Sequence, residues 1–338
     1  MEKRRLGKTN LNISVIGFGG IPLQRLEDEE AIKLIELAAE RGINFIDSAR
    51  AYGRSEELIG KGIKGNREHW ILATKTMARD YESMKKEVEV SLNNFQVKTI
   101  DLYQLHNVKT IEDYENVMSE NGAYKALVEA KMEGKVKEIG ISSHSLEIIE
   151  KVVETDDFAT IQFPYSAVER QAEAVFKRAA ERDIGVIVMK PLSGGALNNG
   201  NLALRFILEN KSVSVVIPGI DNAQQVYENS EVGIAYKPLS DDERKTLTEI
   251  ADKLGLTFCR RCGYCLPCPQ KIDIPTQFLL SGYYTRYDLQ DWALDRYGTL
   301  PAKASDCLDC GACEPKCPYD LPIRDMLREV VGNLEGKK

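Results

Sequence analysis

The feature that most limits what this chain can fold into is a repeat. Strand-like apolar runs begin near Ile13, Ile43, Trp70, Ile100, Lys137, Ala159, Gly185 and Val213, at intervals of about thirty residues. One strand, one helix and two short connections fill such an interval. Helical periodicity occupies the gaps: Asp28-Glu29-Glu30 opens one segment, Ile32, Ile35 and Ala38 or Ala39 give its apolar face, and Arg41-Gly42 closes it. Leu127 to Met132, Leu146 to Val153, Ala172 to Ala180, Leu202 to Leu208 and Val226 to Asn229 lie in similar segments. Eight alternations, preceded by a short hairpin from Arg4 to Ile13, predict an α/β fold of the (β/α)8 TIM-barrel type rather than an open doubly wound sheet. Gly60-Lys61-Gly62-Ile63-Lys64-Gly65 spells a dinucleotide fingerprint, but it follows the helix-like Glu56-Glu57-Leu58-Ile59, whereas the fingerprint needs a strand before it.

A barrel of this kind carries its chemistry at the C-terminal ends of its strands. Asp47 ends the second run, Tyr52 follows it in a glycine-containing loop, Lys75 ends the third and His106 the fourth. Singly, each has a plain structural explanation: a helix cap, a solvated cation, a satisfied histidine. Together, on neighbouring strands at one depth, they form a coherent acid. A tyrosine with a reference pKa near ~10 donates a proton more readily beside an ammonium. Lys75 can supply that charge, Asp47 can hold Lys75 in place, and His106 can donate a hydrogen bond to a substrate oxygen as negative charge develops there.

The segments around Asp47 and Tyr52, Thr74-Lys75-Thr76, and Asp101-Leu102-Tyr103-Gln104-Leu105-His106 resemble those of the aldo-keto reductase family, over about residues 4 to 255. The resemblance implies an NAD(P)-dependent oxidoreductase acting on a small carbonyl or alcohol, with a nicotinamide cofactor bound without a Rossmann fold and Tyr52 as general acid. It implies cofactor contacts at Ser142, with Ser143 in place of the usual Asn, and at Gln162. Where many members stack an aromatic on the nicotinamide, the chain reads Met189-Lys190-Pro191-Leu192, so either Met189 lies under the ring or Tyr165 substitutes for it, and Lys190 is free to face the pyrophosphate. Ile217 through Asn229 matches the family frame after the eighth strand. Gly219, Ile220 and Gln225 stand where a lysine, serine and arginine often grip a 2′-phosphate. With those donors replaced and an acid at Asp221, NAD(H) is favoured over NADP(H). Gly219, Asp221, Gln225 and Asn229 complete the expected cofactor set.

All eight cysteines lie between Cys259 and Cys317, past a helix start at Ser240-Asp241-Asp242-Glu243 that runs to Leu254. This divides the chain into a barrel over residues 1–256 and a second domain over 257–338. Cys307-x-x-Cys310-x-x-Cys313-x-x-x-Cys317-Pro318 is the bacterial ferredoxin pattern, and Cys259-x-x-Cys262-x-x-Cys265-x-x-Cys268-Pro269 falls one residue short of it. Three thiolates at successive threes serve one cluster, and the fourth, before proline, serves the other. Cys259, Cys262, Cys265 and Cys317 are thus assigned to one [4Fe-4S] cluster, and Cys307, Cys310, Cys313 and Cys268 to a second. Two zinc sites of four cysteines each are the competing explanation. The 38 residues between the quartets exceed a small ferredoxin's spacer, and Gln277 to Leu280 and Leu289 to Leu294 read as helix. The tail resembles a mainly α-helical two-cluster ferredoxin.

The charged N-terminus has no long apolar segment after it, and no run approaches the ~18 apolar residues of a membrane span, so a cytoplasmic protein is expected. The net charge of −7, with bases interspersed among acids, offers nucleic acid no footprint. Hydride moves two electrons together and each cluster moves one. A second hypothesis is therefore an electron-transfer or redox-sensing module, served by an electron-transfer protein, whose barrel binds a partner or another cofactor and does not turn over carbonyls. The long, weakly periodic segment from Asn107 to Tyr124 is a candidate specificity loop.

Overall fold

The apolar run that starts at Ile13 is divided between two structures. In the computed structural model, which describes residues 1–197, 199–254, 257–286 and 290–336, Lys3–Arg5 (β1) and Asn12–Ser14 (β2) pair antiparallel with Arg4 opposite Ile13. The first barrel strand is the shorter Phe18–Gly19 (β3). This differs from the predicted start because Asn10, in left-handed conformation, turns the chain so that β2 is used by the hairpin. Leu6 and Ile13 then pack with the inward residues Phe45, Ala73, Leu102, Ile187 and Val215. The hairpin closes the N-terminal floor of the barrel.

The other barrel strands are Phe45–Asp47 (β4), Ile71–Thr76 (β5), Ile100–Leu105 (β6), Val136–Ser142 (β7), Thr160–Pro164 (β8), Gly185–Met189 (β9) and Val215–Val216 (β10). They pair in parallel and in sequence order from β3 to β10. Ile16 pairs with Val216 and Gly19 with Gly219, which closes the sheet into a barrel. The seam requires glycine: a Cβ on Gly19 would stand 2.6 Å from the Pro218 carbonyl oxygen.

Among the described residues, the helices before the cysteine-rich region are Asp28–Glu40 (α1), Ser55–Ile63 (α2), Tyr81–Phe95 (α3), Ile111–Met118 (α4), Ala123–Met132 (α5), Leu146–Val153 (α6), Glu173–Glu181 (α7), Gly200–Glu209 (α8), Ala223–Ile234 (α9) and Asp241–Leu254 (α10). The glycine-rich fingerprint at Gly60 lies largely within α2, on a helix rather than after a strand. The segment from Asn107 to Tyr124 contains α4, so part of the predicted loop is helical. Outward strand residues such as Ile46, Leu72, Tyr103, Ile141, Ile161 and Phe163 bury against these helices in the main core. Inward positions alternate with them, as strand geometry dictates.

Met1–Ser193 with Leu197–Lys253 forms one compact unit, and Leu254–Lys338 with Gly194–Ala196 a second. The predicted boundary at 256 falls on residues outside those described. The second unit is helical, with Ile274–Arg286 (α11), Gln290–Gly298 (α12) and Ile323–Leu334 (α13) around a core that includes Ile274, Phe278, Tyr297, Leu327, Cys265 and Cys317. Among the described residues no helix is long and apolar enough to cross a membrane.

Candidate active site and metal centre

Strand register brings the predicted residues to one end of the barrel. Asp47 pairs with Ala73, Lys75 with Gln104, and Ser142 with Gln162. His106 is the first residue beyond β6, and its amide donates to Thr76 O at 3.0 Å. The loop after β4 that carries Tyr52 is held firmly: Arg50 N donates to Lys75 O at 2.9 Å, and Ser48 Oγ donates to Ser55 Oγ, which donates to Gly20 O. Behind it the buried Glu56 carboxylate accepts from Thr74 Oγ1, Ser91 Oγ, Asn94 Nδ2 and Arg50 Nη1. A buried charge so fully hydrogen-bonded is tolerated, where an unpaired one is not.

Lys75 and Asp47 are 1% and 2% exposed, and Lys75 Nζ donates to Asp47 Oδ1 at 2.5 Å and to Ser48 O at 2.9 Å. The same ammonium lies 5.1 Å from the centre of the Tyr52 ring, and the His106 ring meets Tyr52 edge-on at 6.0 Å. Burial raises the Asp47 carboxyl, against the Lys75 charge, and burial lowers the Lys75 ammonium, against Asp47. Burial also drives His106 well below its ordinary value, with Lys75, His144, Arg79 and Lys190 adding repulsion. The imidazole is therefore neutral at pH 7, a hydrogen-bonding group rather than a cation.

Of the expected cofactor contacts, Ser142, Gln162 and Met189 lie on the inward-facing register. Ser142 Oγ accepts from Asn107 N at 2.9 Å, and Gln162 Oε1 accepts from Gln104 Nε2 at 2.8 Å. Met189, partly buried, packs against the inner apolar cluster that includes Ile187 and Ile217. Tyr165 is not brought to this group. Its ring, 2% exposed, packs between Phe176 and Phe206 in the outer layer, and its hydroxyl donates to Glu173 Oε1 at 2.8 Å. Ser143 Oγ is engaged with Val108 O at 2.6 Å. Lys190 takes a left-handed conformation just past β9. After β10, Gly219 leads to the start of α9, where Asn222 caps the helix through Gln225 N, and Gln225 Oε1 accepts from Asp221 N at 2.8 Å. Asn229 is buried on α9. Sequence reasoning singled out neither Gln104 nor His144. Gln104 bonds Asp47 and Gln162, while His144, beside Ser142 and Ser143, donates from Nδ1 to Asn107 Oδ1 at 2.8 Å. For Gln104 a signal was present, since it stands two residues before His106 and so shares its face of the strand.

In the second unit, Cys259, Cys262, Cys265 and Cys317 line one cavity, and Cys268, Cys307, Cys310 and Cys313 line another that Cys265 borders. The two quartets are built alike. Arg261 N donates to Cys259 Sγ and Asp309 N to Cys307 Sγ, and Arg261 and Asp309 are both left-handed, as are Gly263 and Gly311. Lys271 and Asp320, each three residues past the quartet's last cysteine, repeat the pattern. Backbone N–H groups aimed at sulfur favour anionic, metal-bound thiolates.

A family model described as Aldo/keto reductase family matches residues 15–202, more than half of the chain. The chain belongs to the aldo/keto reductase family. A model described as 4Fe-4S dicluster domain matches residues 258–322, so this member of the family carries a dicluster domain after its barrel. Among curated proteins it is 30% identical over 272 residues to the uncharacterized oxidoreductase YqkF of Bacillus subtilis, covering 76% of this chain and 80% of that one. It is 27% identical over 301 residues to L-galactose dehydrogenase of Arabidopsis thaliana, covering 74% and 93%. Among solved structures it is similar to the holo form of aldo-keto reductase AKR11C1 from Bacillus halodurans, with a TM-score of 0.65, 28% identity, and 74% and 96% of the two chains covered. The protein is an oxidoreductase.

Proposed function

We propose that the barrel reduces an aldehyde or ketone, or oxidises the corresponding alcohol, with Tyr52 as the proton donor and NAD(H) as the hydride carrier. The observation that carries this reading is the buried Lys75–Asp47 pair set 5.1 Å from the Tyr52 ring, with the neutral His106 at its edge. A bound nicotinamide supplies hydride to the carbonyl carbon. Tyr52 gives its hydroxyl proton to the carbonyl oxygen, Lys75 stabilises the phenolate left behind, Asp47 fixes Lys75, and His106 donates a hydrogen bond to the same oxygen.

The inner mouth fits that carrier. Gln162 and Ser142 present polar groups at one level, and Met189 offers an apolar face beside them. Lys190 and the N-terminus of α9, preceded by the small Gly219, suit a pyrophosphate. Gly219 and Gln225 bring no cation to a 2′-phosphate and Asp221 adds a negative charge, which supports NAD(H) over NADP(H). A relative named L-galactose dehydrogenase brings the alcohol-oxidising direction into the proposal.

In the second unit the proposal assigns Cys259, Cys262, Cys265 and Cys317 to one [4Fe-4S] cluster and Cys307, Cys310, Cys313 and Cys268 to the other. The thiols of each quartet line a cavity of their own. Three cysteines at successive threes before a Cys-Pro, twice in the sequence, support iron–sulfur clusters over zinc. A redox module with an idle barrel is the second reading, favoured by methionine at the nicotinamide-facing position.

One experiment separates the two. Anaerobically purified full-length protein is assayed for NADH consumption with a panel of small aldehydes, and iron is measured on the same samples. Turnover that falls about 10²-fold or more in Tyr52→Phe, with iron content unchanged, is expected. Turnover that survives the substitution removes Tyr52 from the mechanism, and its absence from wild type favours the redox module.

A further inference from the structure

Gln104 joins the proton-donating group to the residue expected to hold the cofactor. Its Nε2 donates to Asp47 Oδ2 at 3.3 Å and to Gln162 Oε1 at 2.8 Å. Asp47 and Gln162 lie on β4 and β8, with Gln104 on β6 between them. To reach β8 the side chain must cross β7, and the residue it crosses is its own register partner, Gly140. A Cβ on Gly140 would lie 3.0 Å from Gln104 Cγ and 2.2 Å from Thr160 Oγ1. The glycine thus opens a passage across the inner face of the sheet, and Gln104 fills it.

The consequence is chemical. The two ends of a side-chain amide are nearly equal in shape and opposite in hydrogen-bonding character. Asp47, an acceptor, takes one Nε2 hydrogen of Gln104 and thereby fixes which end of that amide faces Gln162. Gln162 then points its oxygen at Gln104 and its NH2 toward Asp47, which also takes a side-chain hydrogen bond from it, so that the second NH2 hydrogen is the one left for a ligand. We infer that Gln104 is a positioning residue: it fixes the Gln162 amide so that its NH2 meets the carbonyl oxygen of the nicotinamide carboxamide, and so ties the cofactor ring's orientation to the Asp47–Lys75 pair. This rests on the nicotinamide reading of the site.

The test compares two ligands by equilibrium titration of the full-length protein: NADH, and ADP-ribose, which lacks the nicotinamide. In wild type both bind. Gln104→Leu removes both hydrogen bonds at similar volume, and Gln104→Met repeats the loss with a more adaptable chain should the leucine pack poorly. NADH affinity is expected to fall roughly five- to tenfold in either variant, the scale of one hydrogen bond, while ADP-ribose affinity stays at the wild-type value. In Gln162→Leu, adding Gln104→Leu is expected to cost no further NADH affinity. An unchanged NADH affinity overturns the inference, as does an equal loss for both ligands, which would make Gln104 merely structural. Wild-type protein that binds neither ligand would instead overturn the nicotinamide reading itself.

Discussion

Replacing Lys75 by methionine removes a cation that is 1% exposed and sits 2.5 Å from Asp47. Asp47, itself 2% exposed, is left with amide donors such as Gln104 and no counter-charge. Removing one partner of a buried pair costs about 3–5 kcal/mol, because the other charge stays in a medium that solvates it poorly. Burial already raises the Asp47 carboxyl, so part of that cost is relieved by proton uptake. Removing both charges is different: Asp47→Leu with Lys75→Met exchanges the pair for apolar volume, which is often neutral. The double variant is therefore expected to recover most of the stability that Lys75→Met loses, yet to remain inactive. Urea unfolding followed by Trp70 fluorescence measures this for the barrel. Trp70 is 2% exposed, and with Trp292→Phe it becomes the chain's one tryptophan. A loss below about 1 kcal/mol for Lys75→Met, or a double variant no more stable than the single, would refute the view that this pair is retained for chemistry at a cost in solvation.

His106 and His144 are both held well below the ordinary histidine value, by burial first and by neighbouring cations second. Unfolded chains take up protons near pH ~6.5 that the folded form refuses, so stability is fully present above that pH and is lost as pH falls below it, by about 1.4 kcal/mol per unit for each histidine. His144→Asn is expected to remove one histidine's share of that slope in a denaturation series, and an unchanged slope would contradict it. Cys310→Ser is expected to lower iron from about eight to about four per chain, with the cluster signal of the other quartet retained; Cys268→Ser tests the shortened gap in the same way, and full iron in both would break the assignment. Tyr165→Phe loses the hydroxyl's bonds to Glu173 and Asn210, about 1–2 kcal/mol of stability, with NADH affinity unchanged in titration.

The barrel was legible because its signal is periodic. A buried helix face or parallel strand repeats its apolar residues, and Leu146 to Val153, read from spacing alone, is the observed α6. The convergence of the candidate residues was legible because a strand end is a place: Asp47, Lys75 and His106 each stand where an apolar run stops. Pairing partners were less legible. Ile13 belongs to a hairpin rather than to the barrel because a left-handed turn at Asn10 settles a competition that composition leaves open. β3 and β10 are two residues each, shorter than the apolar runs they lie in, and bridges between them close the sheet. Tyr165 illustrates a further limit. One residue past the end of β8, its side chain falls into the outer layer, and only the packing of Phe176 and Phe206 around it reveals this. For Gln104 the sequence shows the face of the strand but not the reach, since its contact with Gln162 crosses Gly140 on the next strand, where there is no side chain.

Clusters move electrons singly and a nicotinamide moves a hydride, so the most direct measurement follows the hydrogen itself. Anaerobic full-length protein is given NADH deuterated at C4 and an aldehyde it reduces, and the product alcohol is examined by mass spectrometry and NMR. Direct hydride transfer beside Tyr52 predicts deuterium on the carbinol carbon from one face of the nicotinamide. Product carrying only solvent hydrogen at that carbon, formed while NADH is consumed, would contradict it.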